Sequence, residues 1–505
     1  MKGANLTCLF VASALIACGG GNTAKYPLTV TLTGTGSGRV TSNPSGIDCG
    51  STCSASLGTG SSVTLSASAT AGSDFTGWSG ACSGTGACSV TMDAAKAVNA
   101  RFTSSRVVFI SARKLDGTDA PNANGTTNIW RVNGDGTGLT ALTNATALGT
   151  SSSGNGGGVS PEWSPDGGKI VFRSSRKLDG SDAPNANLTM NIWRVNADGT
   201  GLMPLTNTTA DSANSAGPQW SPDGTKVVFH SGRKLDGTDA LNGAFNIWQT
   251  NADGTGPRII TNAATPGADS ALPQWSPDGT KIVFSSSRKL DGSDAPNLNR
   301  TYNIWRVNAD GTGLMPLTNA TASGADSLAP HWSPDGSKIV FYSTRKIDGT
   351  DAANLNRTYN IWRVNADGTG LRIITNATAP GANSFDPQWS PDGSKIIFHS
   401  SRKLDGTDAA NANGTSNIWQ ANADGTGPTP LTMATAAGAG NVTPRWSPDG
   451  TKIVFYSSNK LDGTDAPNAN QTSNIWRMNA DGTGRTPLTT ATSNGASSFS
   501  PSFSP

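Results

Sequence analysis

The scarcest ionisable residues in this chain of 505 are three histidines and one glutamate, and they stand at related places. Glu162 and His331 each sit immediately before a W-S-P-D-G motif. The same position elsewhere holds Gln219, Gln274, Gln388 and Arg445, and Ser502 before a Phe variant of the motif. His230 and His399 each follow the Phe of a short β-branched run, where other copies place Ile110, Arg173, Ser285, Tyr342 and Tyr456. Such side chains can move protons, hydrogen-bond a ligand or hold a metal. The framework around them is constant while they vary, which predicts a specific binding face around a central opening. The bland alternative is a ring of unlike polar residues that solvates a channel.

A second constellation is the loop D-G-[T/S]-D-A-x-N, present seven times. Its carboxylates are the pairs Asp116/Asp119, Asp179/Asp182, Asp236/Asp239, Asp291/Asp294, Asp348/Asp351, Asp405/Asp408 and Asp462/Asp465. Clustered carboxylate and amide oxygens are hard ligands suited to calcium. Asp and Asn also cap their own backbone in turns, without any metal. Calcium is therefore the one cofactor to consider; no other is expected.

Catalytic motifs are absent. There is no G-x-S-x-G elbow, and H-E-x-x-H is impossible with one Glu in the chain. The three His fall in different copies of the repeat and at two strand positions, a poor arrangement for a shared metal. The Arg-Lys pairs of the long loops recur beside Asp and are expected to pair locally. Net charge is +2, so nothing favours a nucleic-acid partner.

Four cysteines, Cys49, Cys53, Cys82 and Cys88, lie close together and read as two disulfides of an exported domain, with Cys49–Cys53 and Cys82–Cys88 preferred among three pairings. A zinc site is the weaker alternative, since no His lies nearby. The N-terminus supplies the export signal. Met1-Lys2 precedes an apolar stretch from Leu6 to Ala17, too short to span a bilayer. It ends at Cys18, followed by Gly-Gly-Gly-Asn. This resembles the bacterial lipobox, which implies lipidation of Cys18, removal of residues 1–17, and a flexible tether over 18–26. The expected destination is the outer membrane, reached through the lipid anchor alone. A plain signal peptide cut near Ala17 is the alternative.

The elements that must position these groups are strands. Residues 27–103 alternate apolar and polar side chains in short runs such as Leu28-Thr-Val-Thr-Leu, separated by Gly and Ser. From Arg106 to Pro505 one unit recurs seven times. W-S-P-D-G begins at Trp163, Trp220, Trp275, Trp332, Trp389 and Trp446, and N-I-W ends at Trp130, Trp193, Trp248, Trp305, Trp362, Trp419 and Trp476. Each unit reads as four antiparallel strands joined by Asp-Gly turns, the pattern of a β-propeller blade. The first unit lacks strand one, and Pro501-Ser-Phe503 at the C-terminus can supply it. The expected fold is all-β: a small disulfide-bonded β domain, then a seven-bladed propeller over 106–505, monomeric and closed by its last strand. Near-total absence of Glu fits this, because most Asp and many Gly sit in the repeated turns.

The repeat P-x-W-S-P-D-G followed by K-I-x-F resembles the TolB-like propeller. The order G-S-G-R-V, C-x3-C, F-T-G-W-S-G-A-C, C-S-V-T-M-D before it resembles the divergent internalin B-repeat module. The first resemblance implies a periplasmic or surface scaffold that binds protein partners; the expected role is a non-enzymatic scaffold presented to an envelope protein or a glycan. The second implies a spacer whose Trp78 is a core residue. Two other readings accompany the scaffold: a metal-dependent carbohydrate-active propeller like oligogalacturonate lyase, and a purely structural surface repeat protein.

Overall fold

The computed structural model describes residues 24–505 except 35, 51, 71–72 and 154–160. The expected signal peptide over 1–17, the expected lipidation site Cys18 and the first part of the expected tether lie outside the described residues. Two compact units divide near Thr103, and among the described residues no helix is long and apolar enough to cross a membrane.

The N-terminal unit contains two four-stranded sheets. In one, Lys25–Thr33 pairs antiparallel with Ser54–Gly58 and parallel with Lys96–Ser104. The other centres on Gly38–Asn43 and Ser62–Ala69. Alternation places Leu28, Val30, Val40, Val63, Leu65, Val98 and Phe102 in one core with Trp78. The Trp78 indole N–H donates to the Gly86 carbonyl at 2.7 Å, so this ring is a core residue with its polar edge satisfied. Cys49–Cys53 and Cys82–Cys88 are both bonded and supplement a core that a unit this small builds only thinly.

The C-terminal unit is a propeller of seven sheets, numbered here I to VII. Sheet V illustrates them all: strand one Ser327–Trp332, strand two Lys338–Ser343, strand three Asn360–Asn365 and strand four Arg372–Ile373, each antiparallel to the next. Local chemistry writes each turn. After Trp332, the Lys338 N–H donates to the Ser333 hydroxyl (2.9 Å) and the Ser337 N–H to Asp335 (3.0 Å), while Gly336 takes φ +68°. At the next hairpin, the Thr369 N–H donates to Asp367 (2.9 Å) and Gly368 takes φ +86°. Asn360 of N-I-W is buried, and its side chain accepts from the Ala377 N–H (2.8 Å) and donates to the Ala377 carbonyl (2.7 Å), holding the chain beyond strand four against strand three.

Neighbouring sheets bury their faces on each other. Trp389, Ile396, Phe398 and Trp419 of sheet VI pack on Val340, Tyr342 and Ile361 of sheet V. Burying one such side chain contributes roughly 1.5–3 kcal/mol, and the same contact recurs around the unit. Sheet I takes Ser498–Phe503 as its strand one, paired with Arg106–Ser111. Its Val107, Phe109 and Trp130 pack on Val454 and Ile475 of sheet VII. In sheet II, strand one is described in two pieces, Ser152–Ser153 and Glu162–Trp163. Sheet III, whose loop is two residues shorter, continues strand three from Leu241 to Asn251.

Candidate functional site

Strand one is the edge strand of every sheet, and successive strand ones touch around the centre of the unit. It carries a β-bulge. The register slips between Leu328 and His331 in sheet V and at the same place in sheets I, III, IV, VI and VII. The bulged residue takes a left-handed backbone: Gly217, Leu272, Ala329, Asp386, Thr443 and Ser500, at φ +50° to +63°. Such a conformation is uncommon for residues other than Gly, and bulges re-aim side chains beside functional sites.

The two variable rows lie at different depths. Residues before the W-S motif pair with the third residue of strand two, as His331 does with Val340, near the P-D-G turn. Residues after the Phe pair across from the start of strand one, as Tyr342 does with Leu328, nearer the long loops. The long-loop face is therefore bordered by the second row, and the first row lies below it.

The first row bridges between sheets. The Gln219 amide donates to Glu162 Oε1 at 3.2 Å. The Gln274 amide lies 2.7 Å from His331 Nδ1, and as donor it leaves the proton of the neutral ring on Nε2. Burial pulls the His331 pKa down to about 3, with the Arg445 charge adding to the effect. Burial pushes Glu162 up to about 7, against the pull of Arg445. Arg445 itself is buried and held below the ordinary guanidinium range by desolvation, which Asp386 and Glu162 oppose. One guanidinium thus acts on Glu162, His331, Asp386 and His399, which places residues of sheets II, V, VI and VII around one space. Gln388 occupies the same row on sheet VI, opposite Ile397.

The second row gathers on sheets V to VII. His399 Nδ1 lies 3.6 Å from Asp386 Oδ2, and burial lowers the His399 pKa although Asp386 opposes it. Thr443 Oγ1 reaches the same carboxylate oxygen at 3.5 Å. Tyr342 is held well above the ordinary phenol range by burial and by Asp386. Tyr456 is raised by burial too, and its ring lies 5.5 Å from Phe499. Across the ring, burial takes His230 down to about 4 and Arg173 to about 10; His230 is stacked edge-on to Phe245 at 5.8 Å.

Sequence reasoning missed Asp386, Tyr302, Tyr359, Phe385 and Phe245. Tyr359 and Phe385 lie 5.0 Å apart, and each is 5.4 Å from Tyr342. The signal was present: the residue before N-I-W varies as Thr127, Met190, Phe245, Tyr302, Tyr359, Ser416 and Ser473 in an otherwise fixed motif.

The Asp-rich loops use their carboxylates on backbone. The first Asp of each closes its own turn, as Asp348 does by accepting from the Thr350 N–H (2.9 Å) with Lys346 at 2.9 Å. The second reaches the preceding sheet. Asp351 accepts from the N–H groups of Thr321 (2.8 Å) and Ala322 (2.9 Å), and Asp119 from those of Thr492 and Ser493, 3.0 Å each. Asp182, Asp239, Asp294, Asp408 and Asp465 do the same. The adjoining Arg side chains turn inward: Arg345 donates to the carbonyl of Gly349 and to Asn319 of the preceding sheet. Among the described residues no group of three or more His, Cys, Asp or Glu stands together as a metal site.

Residues 328–505 match the family described as PD40, TolB beta propeller domain. They are a TolB-like propeller segment. The sheets before residue 328 carry the same sequence repeat. Residues 28–106 match the divergent InlB B-repeat domain. "Uncharacterized protein Atu1656" of Agrobacterium fabrum is 25% identical over 268 residues, 47% of this chain and 83% of that protein. "Uncharacterized peptidase YuxL" of Bacillus subtilis is 32% identical over 125 residues, 25% of this chain and only 16% of that protein. Among solved structures, TolB from Acinetobacter baumannii aligns with 75% of this chain and 79% of its own, at 15% identity and a TM-score of 0.41. Oligogalacturonate lyase in complex with manganese aligns with 72% of this chain and 81% of its own, at 16% identity and a TM-score of 0.43.

Proposed function

We propose that this protein is a non-catalytic, exported binding scaffold, held at the outer membrane by a lipid on Cys18, whose propeller captures an envelope protein or glycan at its centre. One observation carries the reading. The only Glu and all three His of the chain stand on the two inner strands of a repeated framework, together with Arg445 and Asp386. A purely structural ring would have no use for such unlike groups, half-buried or buried at a cost, at positions where Gln or Ser would fold as well.

The N-terminal unit suits a spacer. Its disulfides fit an oxidising compartment, and the indole N–H of Trp78 is satisfied within its own core. A catalytic reading finds less support: the His side chains divide between two depths, and Gln274 already bonds His331.

The test is capture from envelope extract by the purified protein, with Glu162→Ala and His331→Ala as comparison. Wild-type protein should retain a specific component that both variants lose. Equal capture by all three would sink the proposal for this site. Loading with calcium, then chelation, reads the Asp loops separately: a melting temperature that does not move argues for capping alone.

A further inference from the structure

The long-loop end of the centre has the chemistry of a sugar site. Three observations combine there. The first is an aromatic wall: Tyr342, Tyr359 and Phe385 meet with centroids 5.0–5.4 Å apart, and Tyr359 and Phe385 are only partly buried, so ring surface remains open. The second is a carboxylate with spare capacity. Asp386 stands on a strained left-handed bulge (φ +50°), its side chain 11% exposed. Among the described residues its partners, His399 at 3.6 Å and Thr443 at 3.5 Å, are both at or beyond the limit of a hydrogen bond. The third is a floor. Below this level, Gln219–Glu162 bridges sheets III and II, Gln274–His331 bridges sheets IV and V, and the Asp386 charge acts on the Arg445 guanidinium.

We infer that this cup, between sheets V and VII, binds one ring of a neutral sugar, with the Tyr359–Phe385 wall against its C–H face and Asp386 accepting from its hydroxyls. The inference rests on the scaffold reading above and names its ligand class. Charge decides for a neutral sugar over an acidic one. Asp386 balances Arg445, and burial keeps His399 uncharged, so the cup holds acceptors and donors without surplus positive charge. A carboxylate on the ligand would approach Asp386 at a net cost in so dry a place. A protein face is disfavoured by depth: a stable protein interface needs roughly 800 Å² from each partner, whereas these groups line the inner edge of the ring. Tyrosine and phenylalanine faces fit the apolar side of a sugar, and of the six residues on this bulge only that of sheet VI is a carboxylate.

The experiment is calorimetric titration of the purified full-length protein with three neutral probes, maltotetraose, cellotetraose and chitotetraose, and one acidic probe, tetragalacturonate. At least one neutral probe should bind. Tyr359→Ala and Asp386→Asn should each weaken it at least tenfold, and Tyr359→Phe should stay within about threefold because the ring face survives. Should Asp386→Asn fail to fold, the two Tyr359 variants carry the test. No binding by any neutral probe at millimolar concentration overturns the inference, as does tighter binding of tetragalacturonate or indifference to Tyr359→Ala. If no sugar binds while a protein captured from extract is lost in Tyr359→Ala, the sugar inference falls and the scaffold reading stands. If nothing is captured at all, the scaffold reading falls with it.

Discussion

Replacing Asp351 by Ala should loosen the seam between sheets IV and V and little else. In the native protein its carboxylate accepts from the N–H groups of Thr321 and Ala322 at 2.8 and 2.9 Å, and from the Thr321 hydroxyl. Burial opposes its ionisation, yet these hydrogen bonds, with Arg345 behind them, hold its pKa below the ordinary carboxylate value. A hydrogen bond to a charged group contributes about 1.5–3 kcal/mol when sheltered. Asp351 is exposed, so screening brings the sum for the clasp down to about 1.5 kcal/mol. That is about tenfold in a local opening equilibrium. Hydrogen exchange at the Thr321 and Ala322 amides reads it directly, and protection should fall about tenfold there. Asp348→Ala, in the same loop but closing only its own turn, is the control and should leave those two amides unchanged. Equal protection in Asp351→Ala and wild type would refute the clasp. The pH dependence has a definite sign. Because the folded-state pKa is lowered, the stabilisation is full above the unfolded value near 4 and is lost as pH falls through the folded value. Asp119, Asp182, Asp239, Asp408 and Asp465 are lowered as well, so acid should loosen six seams as pH falls below the ordinary carboxylate value.

Phe503→Ala should cost about 3–5 kcal/mol by opening a cavity against Val107 and Phe109, read as a lower urea midpoint; an unchanged midpoint would mean that the last strand is not needed for stability. Glu162, raised to about 7, binds its proton more tightly when folded, so wild-type stability should decline as pH rises from about 4.5 through 7. Glu162→Gln should flatten that decline in melting temperature measured against pH. Reduction of Cys82–Cys88, or Cys82→Ser with Cys88→Ser, should destabilise the N-terminal unit by about 2–4 kcal/mol. Near-ultraviolet circular dichroism should show the Trp78 signal lost at a lower temperature.

Much of the architecture was legible because it is written in local chemistry. An Asp-Gly pair needs no distant partner to turn a chain: Asp335 and Gly336, or Asp367 and Gly368, meet donors two residues away. The unbroken apolar run Ile339, Val340 and Phe341 states that both faces of strand two are covered. The candidate site was half legible. His399, Tyr342, Arg445 and Tyr456 stood out because they vary inside a constant motif. Asp386 did not, because its importance comes from a bulge that displaces one residue of strand one, and nothing in S-F-D-P-Q-W announces which residue will be displaced.

By itself, then, the sequence determined the all-β class, the seven units, their turns and the residues that break uniformity. Tertiary structure decided who meets whom. Asp119 accepts from Thr492, 373 residues away, and Gln274 meets His331 across 57. Arg445 gathers residues from sheets II, V and VI about one guanidinium. The two rows that looked equivalent along the chain separate in depth, one forming a floor and the other a mouth. The reason is physical: turn geometry depends on a few neighbouring dihedrals, whereas these meetings depend on the stacking of whole sheets, which short-range chemistry permits but does not specify.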